Sequence, residues 1–111
     1  MKVQYRVKSA TEFQALIERK KSDKNHHFVI YHQPKTEAYA RAGISVGKKM
    51  GNAVFRNKVK RQLRMMMQDI YKADYSFDCV IIVRFKYFKD DYHSNYQQLE
   101  DLFKTIEKRR Y

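Results

Sequence analysis

Apolar and polar positions alternate at the start of the chain, Val3, Tyr5 and Val7 against Lys2, Gln4, Arg6 and Lys8. That is the period of a half-exposed strand or extended arm. Ser9 then stands three residues before Glu12, a capping-box spacing, and Phe13, Leu16 and Ile17 follow at i, i+3 and i+4. A short amphipathic helix running to about Arg19 is predicted, followed by a polar loop over residues 19–27. Phe28, Val29, Ile30 and Tyr31 are strand formers. Pro34 breaks the pattern within a connection over residues 33–37. Ala40, Ala42, Ile44 and Val46 alternate again, which predicts a second strand paired with the first as a hairpin.

The next element carries the strongest period. After a turn over residues 47–53, with Asn52 as its cap, a helix is predicted from about Val54 to about Lys72. At about 100° per residue, Phe55, Val59, Leu63, Met66, Met67 and Ile70 form a core-facing stripe. Arg56, Lys60, Arg64, Asn57 and Arg61 fill an adjoining arc of roughly 140°, and Lys58 falls away from both. Cys79, Val80, Ile81, Ile82 and Val83 run together between Asp78 and Arg84, the mark of a central strand covered on both faces. Ser94, three before Gln97, predicts the start of a last helix whose apolar face is Leu99, Leu102, Phe103 and Ile106. Lys108, Arg109 and Arg110 suit its C-terminal dipole. The order strand, helix, strand, strand, helix, strand, helix describes one α/β sandwich, and 111 residues without repeat or linker predict a single domain over 1–111.

Charge sharpens this picture. Lys and Arg number 24 against 12 acids, a net charge of +12. Such a field draws a chain to nucleic acid or to an acidic surface. No run approaches the about 18 apolar residues of a membrane span, and the first residues are too polar for a signal peptide. The one cysteine, Cys79, lies in an apolar run, has no partner for an internal disulfide, and fits a reducing, cytoplasmic setting.

Candidate catalytic chemistry is sparse. Gly47, Lys48 and Lys49 sit between strand and helix, but no glycine lies five positions earlier and no Ser or Thr follows, so the phosphate-loop spacing fails. Asp90, Asp91 and His93 precede a helix and read as a solvated loop with acids near a helix N-terminus. His26, His27 and His32 have no cysteine partners at zinc-like spacing. No catalytic residue and no metal site is assigned. The cationic arc, in contrast, is placed to bind phosphates, which gives affinity without sequence choice. Phe13 on the first helix and Tyr31 on the adjacent strand are each candidates for the core; Tyr31, on the strand face opposite Phe28 and Ile30, is alternatively placed to line a groove and stack on a splayed base.

The run 41–64, with Gly43, Gly47, Lys48, Lys49, Gly51, Asn52, Arg56, Asn57, Lys58, Lys60, Arg61 and Arg64, closely resembles the signature of the bacterial ribonuclease P protein subunit. Weaker echoes lie at Ser9 to Gln14, Phe28 to Tyr31 and Asp78 to Arg84. The resemblance implies a small partner of a catalytic RNA that cleaves precursor tRNA with Mg2+ to form the mature 5′ end. It implies RNA binding by Arg41, Lys48, Lys49, Arg56, Asn57, Lys58, Lys60, Arg61 and Arg64. It also implies a groove for the single-stranded 5′ leader at Phe13, Ile17, Tyr31, Lys60 and Arg64. No DNA or membrane partner is expected, and oligomeric state is left open. The expected fold class is an α/β (α+β) two-layer sandwich, a small mixed sheet with three helices in αβββαβα-like order. The family implies a left-handed crossover, where general rules favour a right-handed one. Lys58 replaces an arginine of the family triplet and loses its planar fork. Ile17 stands where many members have an aromatic, and residues 19–25 lack the usual glycine. The competing readings are a structural RNA binder of ribosomal or chaperone type and a self-sufficient metal nuclease. Ribosome cosedimentation would favour the first of these, and cleavage by RNA-free protein the second.

Overall fold

The computed structural model describes residues 6–7, 9–72 and 74–111. Three helices, α1 (Ala10–Glu18), α2 (Ala53–Ile70) and α3 (Tyr92–Arg110), accompany four strands. The strands are β1 (Ser22–Lys24), β2 (Phe28–Pro34), β3 (Ala42–Ser45) and β4 (Phe77–Val83), so the order is αβββαβα. Most of the expected first strand lies outside the described residues. Within them, Arg6 forms a parallel bridge with Ala42, and the Val7 amide donates to the Ala42 carbonyl at 3.0 Å.

The sheet is mixed, in the order β1-β2-β4-β3, with β1–β2 and β2–β4 antiparallel and β3–β4 parallel. The hairpin expected between Phe28 to Tyr31 and Ala40 to Val46 is therefore corrected: β4 lies between these two strands. The physical reason is in β4 itself. Its nearly unbroken burial calls for a strand on either side and cover on both faces, and a β2–β3 hairpin would have left it with one neighbour. A second correction concerns residues 19–27, which hold a short edge strand rather than a plain loop. Ser22, Asp23 and Lys24 pair with Tyr31, Ile30 and Val29.

One sheet face carries the main core. Phe28, Ile30, Cys79, Ile81 and Val83 are buried against Val59, Leu63, Met66, Met67 and Ile70 of α2 and Leu99, Leu102, Phe103 and Ile106 of α3. The stripe expected on α2 holds except at its first residue: Phe55 is 39% exposed. It sits in the first turn of the helix. Burial of Cys79 raises its thiol pKa, consistent with an inert packing role. On the opposite face α1 lays Leu16 over Val80 and Val7, with Phe13 and Ile82 at the rim. Strand alternation separates the two clusters, since Cys79 and Ile81 point one way and Val80 and Ile82 the other.

The helix starts follow from local polar chemistry. Ser9 accepts the amides of Thr11 at 3.1 Å and Glu12 at 3.4 Å, and Asn52 accepts that of Phe55 at 2.9 Å. The start of α3 differs from expectation. Asp91, not Ser94, is the cap, accepting the Ser94 amide at 2.8 Å. A carboxylate three residues before the helix's third amide satisfies that donor and also faces the positive end of the helix dipole. At the end of α1, Lys20 takes φ 59°, a left-handed conformation normally filled by glycine.

Candidate nucleic-acid interface

Lys48 and Lys49 stand exposed on a single helical turn, Lys48–Met50, that leads into α2. Along α2, Arg56, Lys60 and Arg64 are spaced i, i+4, i+8 and form one row beside the buried stripe. Asn57, Lys58 and Arg61 project from the exposed side. Among the described residues none of these seven cations is ion-paired. The Arg56 Nε instead donates to the Gly51 carbonyl at 3.0 Å, tying the row to the preceding loop. A helix packed by one face against a sheet thus holds a row of unneutralised charge on its flank, where phosphates can reach it.

The row ends at a cleft. Arg64 joins Arg6, Val7, Phe13, Ala42, Gly43 and Ile44 around a small opening at the β3 edge. Phe13 lies directly over Gly43: a Cβ built there would come within 2.5 Å of the Phe13 ring. Glycine is what lets the ring lie against the strand. Tyr31 belongs to the same sheet face, because Tyr31 pairs with Val80 and Val80 with Gly43. Two strand spacings, about 10 Å, separate it from Gly43, and both Tyr31 and Phe13 are half-buried. Ile17, one turn after Phe13 on α1, is half-buried too, and Lys60 sits one turn before Arg64. The structure therefore brings Phe13 and Arg64 into one cleft and sets Tyr31 on the same face, beyond Val80.

Arg41 is placed differently from the other cations. Its guanidinium meets Glu12 Oε2 at 2.6 Å and Asp78 Oδ2 at 3.4 Å, and its backbone amide donates to Asp78 Oδ1 at 2.8 Å. Burial works against its charge, but the hydrogen bond to Glu12 and the charges of Asp78 and Glu12 prevail, so its pKa is raised. Arg41 ties α1 to the start of β3 and to β4. Nearby, the Tyr71 hydroxyl lies 2.9 Å from the Arg41 carbonyl and 3.0 Å from that of Phe77, sharing its proton between them. Burial raises the Tyr71 pKa and keeps that proton in place.

Four of the acids and histidines considered for catalysis have structural partners. His27 Nε2 is 2.8 Å from Asp90, and His32 lies between Asp23 at 2.9 Å and the Tyr111 hydroxyl at 3.0 Å. Asp91 caps α3, and the hydrogen bond from the Ser94 backbone holds its pKa below the usual carboxylate value. His93 and His26 are exposed. Among the described residues no three His, Cys, Asp or Glu side chains gather into a group able to hold a metal ion. No helix of the described residues is long and apolar enough to cross a membrane. One feature escaped the sequence reading: Phe55 pairs with Phe88 of the single helical turn Phe85–Lys89, ring centroids 5.3 Å apart. The run Phe85, Lys86, Tyr87, Phe88, Lys89, with aromatics and cations interleaved, was its signal.

Fold and site together define a small, strongly basic α+β protein with a cationic helix flanking a sheet-backed cleft. The Ribonuclease P family model matches residues 1–107, and the chain belongs to this family. The ribonuclease P protein component of Mesoplasma florum is 45% identical over 98 residues, covering 86% of this chain and 89% of the relative. The solved structure of the Staphylococcus aureus RNase P protein superposes with a TM-score of 0.82 at 32% identity, covering 92% and 94% of the two chains. That of Thermotoga maritima gives 0.78 at 30% identity, covering 92% and 97%. Family membership implies an RNA subunit as partner and a part in tRNA 5′ processing.

Proposed function

We propose that this chain is the non-catalytic protein subunit of a cytoplasmic ribonuclease P, holding the catalytic RNA and the precursor tRNA leader together. Lys48, Lys49, Arg56, Asn57, Lys58, Lys60, Arg61 and Arg64 meet the phosphates of the RNA subunit and of the substrate near the cut. Two polyanions must approach there, and an array of fixed cations lowers their mutual repulsion without chemistry of its own. Phe13, Ile17 and Tyr31, with Lys60 and Arg64, hold the single-stranded leader, stacking its unpaired bases while the cations follow its backbone. Arg41 serves by positioning, since its pairs with Glu12 and Asp78 fix α1, and hence Phe13, against the sheet. Magnesium supplies charge stabilisation for the phosphodiester cleavage carried out with the RNA. The described residues of this chain gather no group of three His, Cys, Asp or Glu side chains suited to it.

The observation that carries this reading is the row of unpaired cations on α2 running into the cleft that holds Phe13. The test compares precursor and mature tRNA binding to the reconstituted holoenzyme. Tyr31→Ala, and to a smaller degree Phe13→Ala, should weaken the precursor by roughly five- to 150-fold, the worth of one base stack of about 1–3 kcal/mol. Mature tRNA, which has no leader, should bind as before. Equal weakening of both substrates would make Tyr31 a packing residue and place the leader elsewhere.

A further inference from the structure

The other flank of α2 holds a surface that the leader groove does not use. Phe55, Lys58 and Gln62 face Tyr87 and Phe88 across an open cleft. The cleft floor is fixed by the Tyr87 hydroxyl, which donates to Gln62 Oε1 at 2.8 Å. Phe55 is 39% exposed and Phe85, on the same short turn as Phe88, is 61% exposed. Aromatic rings left open to water on a chain of charge +12 need a reason. Lys58 lies one turn from Phe55 on the same flank, and Lys86 and Lys89 are exposed on the facing turn. One acid, Asp90, lines the cleft as well, its carboxylate held 2.8 Å from His27 Nε2, and Asp91 caps the α3 N-terminus. At about 100° per residue, Lys58 and Arg64 point about 120° apart around α2. A strand in the leader groove therefore does not occupy this cleft.

We propose that the cleft receives one unpaired base of the catalytic RNA subunit, stacked on the Phe55 ring, with Lys58 on its adjoining phosphate. The proposal rests on the ribonuclease P reading above. An aromatic face offers the same stacking to any base, and a flanking ammonium holds the charge that travels with it. A second copy of this chain is the poorer occupant, because two surfaces of the same positive sign would be brought together. The lysine at position 58 also fits: a point charge on a flexible stem follows a phosphate whose place is set by the stacked base, and needs no planar fork.

The experiment uses full-length protein and the cognate RNA subunit alone, with binding measured across a salt series. Phe55→Leu keeps an apolar side chain on a partly exposed site and removes the ring. It should weaken binding roughly five- to 150-fold while leaving the salt slope unchanged, since no phosphate contact is lost. The chain contains no tryptophan, so Phe55→Trp provides a single indole. That variant should bind like the wild type, and its fluorescence should be quenched by the RNA subunit but not by a fully paired duplex of equal charge. Wild-type affinity in Phe55→Leu, an unquenched indole, or a dimer that dissociates on Phe55→Leu would each overturn the proposal. Wild-type protein that fails to bind the RNA subunit would overturn the ribonuclease P reading with it. Normal wild-type binding alongside an unaffected Phe55→Leu would remove this inference alone.

Discussion

Replacing Arg56, Lys60 and Arg64 together by alanine removes the row on α2 and should reduce the salt dependence of RNA binding by a calculable amount. Lys60 and Arg64 are half-exposed, lie beside the buried stripe, and have no ion-pair partner among the described residues. Arg56 donates to the Gly51 carbonyl, so its loss also loosens the loop before the helix. Alanine is the best helix former, and α2 should keep its fold through Val59, Leu63, Met66, Met67 and Ile70. Each lost phosphate contact lowers the slope of log K against log salt by about 0.7–0.9, so three contacts remove about 2–3. Between 50 and 200 mM salt, the triple variant should then lose roughly twenty- to forty-fold less affinity than the wild type does. Filter binding or fluorescence anisotropy across that range reads the slope, and thermal unfolding confirms the fold. Lys104→Ala, on α3 and paired with Glu100 at 3.7 Å, is the control and should leave the slope unchanged. A folded triple variant with the wild-type slope would refute the assignment of this row to phosphates.

Joint replacement of Asp90, Asp91 and His93 should lower thermal stability, because it removes the His27 partner and the α3 cap. The rate of the cleavage step in the reconstituted particle should be kept. A fall of about a hundredfold, the scale of general acid-base help, would reveal a site that the geometry assigns to structure. Lys20→Gly should stabilise the protein by about 0.5–1 kcal/mol, since a left-handed residue costs about 1–2 kcal/mol and glycine returns part of that as chain entropy. Unchanged or reduced stability in chemical denaturation would show that the Lys20 side chain contributes a compensating contact.

The parts of the fold legible in the sequence are those set within one element. The α2 stripe, its Asn52 cap and the cationic row all follow from a single helical period over residues 53–70. Strand neighbours were not legible. Alternation in Ala40 to Val46 marks a half-buried strand but carries no information about its partner, and burial of β4 on both faces is what places β4 between β2 and β3. Three-residue β1 is too short for any period to appear. The cap of α3 was misplaced because Asp91 and Ser94 both satisfy capping patterns, and the choice rests on which amide is left without a partner. In the site, the charge of Arg41 was legible and its commitment was not: Glu12 and Asp78 reach it from α1 and β4. Phe13 above Gly43 is a contact across 30 residues that no local pattern encodes. Phe55 fits the apolar stripe by angle, yet it lies in the helix's first turn and pairs with Phe88 rather than joining the main core.

Reconstituted cleavage of a precursor tRNA bearing a leader of several nucleotides, with the cognate RNA subunit in the presence and absence of this chain, tests whether the chain acts as the protein subunit of a ribonuclease P. At low magnesium the RNA with this chain should cut once, at the mature 5′ end, faster and with tighter precursor binding than the RNA alone, while the protein alone should cut nothing. Cleavage by the RNA-free protein, or an RNA subunit whose rate and precursor affinity are unchanged by the chain, would contradict that role.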